Sequence, residues 1–146
     1  MENNEILQAI YSALELTEED IVALLEHGGV EPMPASGAGL LSACSNEQLR
    51  GFLEGLILAE RGPRSDGKQP VIDDQKMSNN EVLKKLRIAF NLQHEDMLLI
   101  FEEGGVTLTA SELGALFRKP GNKHFRDCSD AQLLQFIGGF QPKLDT

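Results

Sequence analysis

Apolar residues recur along the chain at intervals of three and four, the spacing of a helix that buries one face. Ile6, Leu7, Ile10 and Leu14 form the first stripe, Ile21, Leu24 and Leu25 the second, and Leu49, Phe52, Leu53 and Leu56 a third. The series then starts again. Val82, Leu83, Leu86, Ala89 and Phe90 answer the first stripe, Met97, Ile100 and Phe101 the second, and Leu133, Phe136, Ile137 and Phe140 the third.

Polar residues mark where these helices begin. Thr17 precedes three carboxylates, and Ser45/Gln48, Ser78/Glu81, Thr109/Glu112 and Ser129/Gln132 each have the spacing of a capping box, which satisfies orphan N–H groups at a helix start. The first helix is expected from about Asn3 to Glu15. Glu2 stands where Ser78 stands later, so Asn3 or Asn4 is expected to cap it. The Gly-Gly pairs at 28–29 and 104–105 are stop signals, because glycine adopts the left-handed cap without strain. Thr109 opens a short helix through Leu113, Leu116 and Phe117 that Pro120-Gly121 ends. The matching stretch at 34–39 holds two glycines and predicts only a short or frayed helix before Leu40 and Leu41. Residues 62–76 carry Gly, Pro and charge without helical period, a linker that Val71 and Ile72 are expected to anchor. Beyond Pro142 an irregular tail is expected.

The recurrence is a duplication. Residues 3–30 and 79–106 align without a gap and are identical at 12 positions, and 44–55 is echoed by 128–139. The offset grows from 76 to 84 positions, which places eight additional residues near 118–125. The expected fold is all-α, two tandem pseudo-symmetric repeats of about four helices each. Its units are 1–62 and 78–146, joined by a linker at 63–77. A unit of about 60 residues buries only about 60% of its unfolded surface, so the two are expected to pack together.

Charge makes the halves unequal. Of the formal net charge of −10, residues 1–62 carry two basic against eleven acidic side chains, and residues 79–146 carry eight against nine. That balance disfavours nucleic acid and anionic membrane as partners of the first half and leaves the second free to present basic patches. Two cysteines make no disulfide framework and no zinc spacing. The acidic N-terminus is unlike a signal peptide, and no apolar run approaches the ~18 residues of a membrane span, so a cytoplasmic setting is expected.

Asn79, Asn80, the run from Leu83 to Phe90, Asp96, Phe125, Arg126 and Cys128, with the segments 52–62 and 123–136, resemble the YehS-like proteins. That bacterial family of unknown function is built from two copies of one helical unit. The likeness spans nearly the whole chain and implies the same duplicated helical fold. In the first repeat the stretch matching Lys123 to Arg126 is missing, and glycine-rich sequence stands in its place.

Candidate chemistry is confined to binding. Lys84, Lys85 and Arg87 on one predicted helix and Arg118, Lys119, Lys123, His124 and Arg126 around the additional loop would form an anion-binding surface if the fold joins them. Asn79 and Asn80 would add side-chain amides at a helix start. The plainer reading is a solvated face, or a face paired with the acidic first repeat. The expected partner site is therefore Asn79, Asn80, Lys84, Lys85, Arg87, Lys123 and Arg126, in an adaptor that takes a protein partner. The alternative is nucleic-acid binding through a helix-turn-helix at 95–119. Thr109, Ser111 and Glu112 at its leading end, and the net charge, disfavour it. No nucleophile has a recurring base, His27, His94 and His124 are unmatched, and no phosphate-loop, dinucleotide or metal motif occurs. The expectation is a protein without catalysis, cofactor or metal.

Overall fold

The computed structural model describes residues 1–31 and 37–144, and every regular element among them is a helix. In chain order they are α1 (Asn3–Ala13), α2 (Glu18–His27), α3 (Gly37–Ser42), α4 (Asn46–Arg61), α5 (Asn79–Ala89), α6 (His94–Glu103), α7 (Ala110–Leu116) and α8 (Asp130–Leu144). The stretch 32–36, on which part of the expected short third helix fell, lies outside the described residues.

The capping signals act as the sequence implied. Thr17 with Asp20, Ser45 with Gln48, Ser78 with Glu81 and Thr109 with Glu112 close reciprocal boxes, and Ser129 with Gln132 exchanges the same pair of bonds. The start of α1 corrects an expectation. Glu2 is the N-cap and its N–H donates to Glu5 Oε2 at 3.1 Å, while Asn3 and Asn4 turn their amides toward other elements. Helix α1 also ends earlier than expected, at Ala13. Glu15 takes a left-handed conformation (φ 54°), and Leu16 N–H donates back to Tyr11 O; α5 ends alike at Asn91 (φ 51°). At its other end the chain departs in the opposite sense, for α8 continues through Pro142 to Leu144.

The paired glycines serve two different ends. Gly29 (φ 80°) and Gly105 (φ 96°) hold the left-handed turn, with Val30 N–H donating to Leu25 O and Val106 N–H to Phe101 O. Gly28 and Gly104 instead admit a neighbouring backbone. A Cβ on Gly28 would lie 1.9 Å from Gly51 O, and one on Gly104 would lie 1.8 Å from Gln135 O. Helices α2 and α4 therefore pack backbone to backbone, as do α6 and α8.

Across the chain, α1 packs on α8 and α4 on α5. One hydrophobic core results, running from Ile6 and Ile10 through Phe52 and Leu53 to Val82, Leu83, Phe101 and Phe136. Each such fully buried side chain contributes about 1.5–3 kcal/mol relative to exposure. Phe90, Phe101, Phe136 and Phe140 stack with centroids 4.7–5.7 Å apart. The expected linker is non-helical; of the two residues expected to anchor it, Val71 is 79% exposed and Ile72 is half-buried. Met77 is buried, and the buried guanidinium of Arg50 holds the segment by charge. Its Nη2 donates to Gln75 O (3.2 Å), and Nη1 reaches Glu81 Oε2 (3.4 Å). Nε lies 3.2 Å from Asp73 Oδ1, an ion pair without the alignment of a hydrogen bond. No described helix is long and apolar enough to cross a membrane.

Candidate functional site

A groove of about 620 Å³ lies between α7 and the loop that leads to Cys128. Leu108, Ala115 and Leu116 supply its apolar surface, and Arg118, Lys123, His124 and Arg126 its basic side chains; Glu112 and Asp127 are its carboxylates. The loop is a folded piece. Asn122 N–H donates to Lys119 O, Phe125 N–H to Asn122 O, and Arg126 N–H to Ala115 O at 2.9–3.1 Å.

Asn80 fastens this loop to α5. Its Nδ2 donates to Leu116 O and to Arg126 O, each at 2.9 Å, and its Oδ1 accepts from Cys128 N–H at 2.9 Å. Asn79 Nδ2 donates to Cys128 O (3.0 Å) and to Asp130 Oδ1 (2.7 Å). That bond, with the chain's amino terminus 3.3 Å from Asp130 and the charge of Lys76, holds the Asp130 carboxyl below its usual range. Both asparagines, expected as anion-binding amides, are thus committed to backbone and side-chain acceptors inside the fold.

The expected cationic surface divides. Lys123 and Arg126 line the groove, whereas Lys84, Lys85 and Arg87 do not. Successive helical residues point about 100° apart, so adjacent lysines on α5 face different neighbours. Lys85 forms an ion pair and hydrogen bond with Glu54 of α4, both side chains partly buried. The plainer reading, a charge paired with the acidic first half, therefore applies to Lys85. Arg87 Nε donates to Leu92 O (3.2 Å), and its guanidinium lies 4.8 Å from the centre of the Phe117 ring. Lys84 is exposed and takes part in no hydrogen bond or ion pair among the described residues.

The groove's own cations are different in kind. Arg118, Lys123 and Arg126 are exposed, and among the described residues none lies within 4.0 Å of a carboxylate oxygen. Glu112 is occupied at the start of α7. The backbone N–H and the hydroxyl of Thr109 hold its carboxyl below the usual range. Sequence reasoning placed the basic loop but not the apolar floor, since Leu108 and Ala115 have no chemical signature until the loop folds over them. It also passed over Arg50 and Glu54, which read as ordinary surface charges on an amphipathic helix.

Neither cysteine has the features of a nucleophile. Burial pushes the Cys44 thiol up to about 12 against the lowering effect of Lys76, and burial together with Asp130 pushes Cys128 up to about 11. Among the described residues no three His, Cys, Asp or Glu side chains gather as a metal site.

The chain is 35% identical to an uncharacterized protein of Escherichia coli (strain K12), YehS, over 95% of this chain and 94% of that protein. It belongs to the YehS-like family. A family described as a protein of unknown function (DUF1456) matches residues 79–144, the part that contains the groove. No solved structure matches. Family membership assigns the groove no role.

Proposed function

We propose that this protein is a non-catalytic binding module of the cytoplasm, whose groove between α7 and the 118–127 loop takes an acidic segment of a protein partner. The observation that carries this reading is the set of unpaired cations, Arg118, Lys123 and Arg126, around an apolar floor in a chain whose net charge is −10. Apolar floor with charged rim suits an acidic peptide that also carries aliphatic side chains. A single-stranded nucleic acid would favour a platform of Phe, Tyr or Trp rings, and none of these lines the groove among the described residues. On this reading the chain comprises two pseudo-symmetric units, 1–62 and 78–146, joined through 63–77. Equal lengths of α1 and α5 and of α2 and α6, and the reciprocal packing of α1 on α8 and α4 on α5, support that arrangement. Free Cys44 and Cys128 with raised thiols suit a reducing compartment and a role without nucleophilic chemistry.

The test is a fluorescence-anisotropy titration with a labelled acidic, leucine-containing helical peptide. Binding should weaken at least tenfold in the Arg118→Gln/Lys123→Gln/Arg126→Gln variant, with thermal stability within about 0.5 kcal/mol of the parent, as exposed substitutions usually are. Equal affinity in parent and variant, or preference for a single-stranded oligonucleotide over the peptide, would refute the reading.

A further inference from the structure

Helix α6 carries an outer face of the chemistry that the groove lacks. Its inner face is fully committed, with Met97, Ile100 and Phe101 buried. Glu95, Leu98, Leu99 and Glu102 follow one another at intervals of three, one and three, so they form one stripe on the same helical face. Glu95 and Glu102 are exposed, Leu98 is half-buried, and Leu99 is 48% exposed although apolar. Among the described residues neither glutamate side chain is in an ion pair or hydrogen bond. A lone exposed leucine needs no explanation. A pair of leucines bracketed by unpaired carboxylates, in a protein that also presents an apolar floor whose three unpaired cations outnumber the carboxylates of Glu112 and Asp127, is a complementary pair of surfaces.

The chain cannot satisfy this pair by itself in the conformation described, because no residue of α6 lines the groove. We propose that a second copy of the chain does so, seating the Glu95–Leu98–Leu99–Glu102 stripe of one copy in the α7–loop groove of the other. Leu98 and Leu99 would meet Leu108, Ala115 and Leu116, and Glu95 and Glu102 would meet Arg118, Lys123 and Arg126. Each copy has one stripe and one groove, so a two-fold pair would use both and close, whereas a head-to-tail arrangement would leave one of each free. The overall charge of −10 opposes association, but beyond about 8–10 Å that repulsion is screened at physiological salt while the local pairs are not. A contact built on one ten-residue helix is small, so the association is of the weak and reversible class. Helix α2 supplies an internal control. Its matching stripe, Glu19, Val22, Ala23 and Glu26, has the same carboxylates but smaller apolar residues, with alanine where α6 has the exposed leucine.

This inference rests on the acidic-segment reading of the groove, and the experiment separates the two. Sedimentation velocity of the full chain is measured over rising concentration in 50 mM and 500 mM salt, with circular dichroism to establish that each variant is folded. The parent should associate with concentration, at least tenfold more weakly in high salt. Glu95→Lys/Glu102→Lys and Arg118→Glu/Lys123→Glu/Arg126→Glu should each be monomeric, their equimolar mixture should associate again, and Glu19→Lys/Glu26→Lys should behave as the parent. The milder Leu99→Gln should weaken association several-fold and serves if a charge reversal disturbs the fold. A parent that stays monomeric at millimolar concentration, or association untouched by either reversal, overturns the proposal. If the monomeric parent still binds the acidic peptide, only the second-copy assignment falls; if it binds neither, the groove reading falls with it.

Discussion

The segments between the third and fourth helices of the two halves start from the same device and end differently. In the first half Asn3 Nδ2 donates to Cys44 O and to Asn46 Oδ1; in the second, Asn79 Nδ2 donates to Cys128 O and to Asp130 Oδ1. Asn4 reaches Leu41 O as Asn80 reaches Leu116 O. The device clamps the start of one helix to the approach of another and is needed in both halves to hold a short third helix in place. Among the described residues the clamp holds a loop as well only in the second half, through Arg126 O and Cys128 N–H, and there Arg118, Lys123 and Arg126 stand unpaired around a groove. The shared part of the pattern explains folding. The unshared part is where a binding function can reside.

The largest expected effect tests whether the two halves share a packing requirement. A Cβ at Gly55 would lie 1.8 Å from Leu24 O, and one at Gly139 would lie 2.1 Å from Ile100 O. Backbone cannot yield as a side chain can, so Gly55→Ala and Gly139→Ala should each cost about 3 kcal/mol by urea denaturation. A cost in one half and none in the other would break the correspondence.

The asparagine clamps should differ in strength. Asn80 makes three bonds of 2.9 Å, whereas Asn4 makes one of 3.5 Å. Asn80→Ala should therefore cost about 2 kcal/mol, leaving a buried-side N–H and two carbonyls to find water, and Asn4→Ala less than about 0.5 kcal/mol. Hydrogen exchange sharpens the point, since the Cys128 amide should lose its protection in Asn80→Ala.

Next comes the division within α5. Lys85→Gln leaves the mostly buried Glu54 carboxylate without its partner and should cost about 1–2 kcal/mol, discounted for the partial exposure of both groups. Lys84→Gln, at an exposed position, should stay within about 0.5 kcal/mol. Equal losses at the two sites would show that these lysines are not divided as their surroundings require. Thermal denaturation at fixed pH decides it.

The smallest effect is acid dependence at α7. Glu112 has its folded pKa held down by Thr109, so its contribution is present above the unfolded value of about 4.3 and is lost as pH falls through the folded one. Gln48 and Gln132 occupy the same place in the boxes of α4 and α8 without a titrating group. The stability difference between the parent and Glu112→Gln should accordingly be visible at pH 6 and shrink as the pH falls below 4. A difference that grows on acidification would contradict the assignment.

Much of the helical framework was legible because its causes are local. A hydroxyl three residues before Glu or Gln, an apolar period of 3.6 and a glycine able to take positive φ act within one turn, and so they leave a mark on contiguous residues. Local reasoning already failed where an alternative partner lay far along the chain. Asn3 and Asn4 read as caps, yet their amides serve residues about forty positions away, and the start of α1 falls to Glu2.

The sequence alone thus determined that the chain is helical, where most helices begin and end, and which residues are apolar enough to share a core. Tertiary structure decided which charges remain free. Lys84, Lys85, Arg87, Lys123 and Arg126 are equivalent as letters. Helix rotation and the packing of α4 on α5 give Lys85 a carboxylate, Phe117 gives Arg87 a ring, and the folded loop leaves Lys123 and Arg126 unpaired beside an apolar floor. Charge is a property of a residue, but whether that charge is already neutralised depends on what lies within a few ångströms, and only the fold sets those distances.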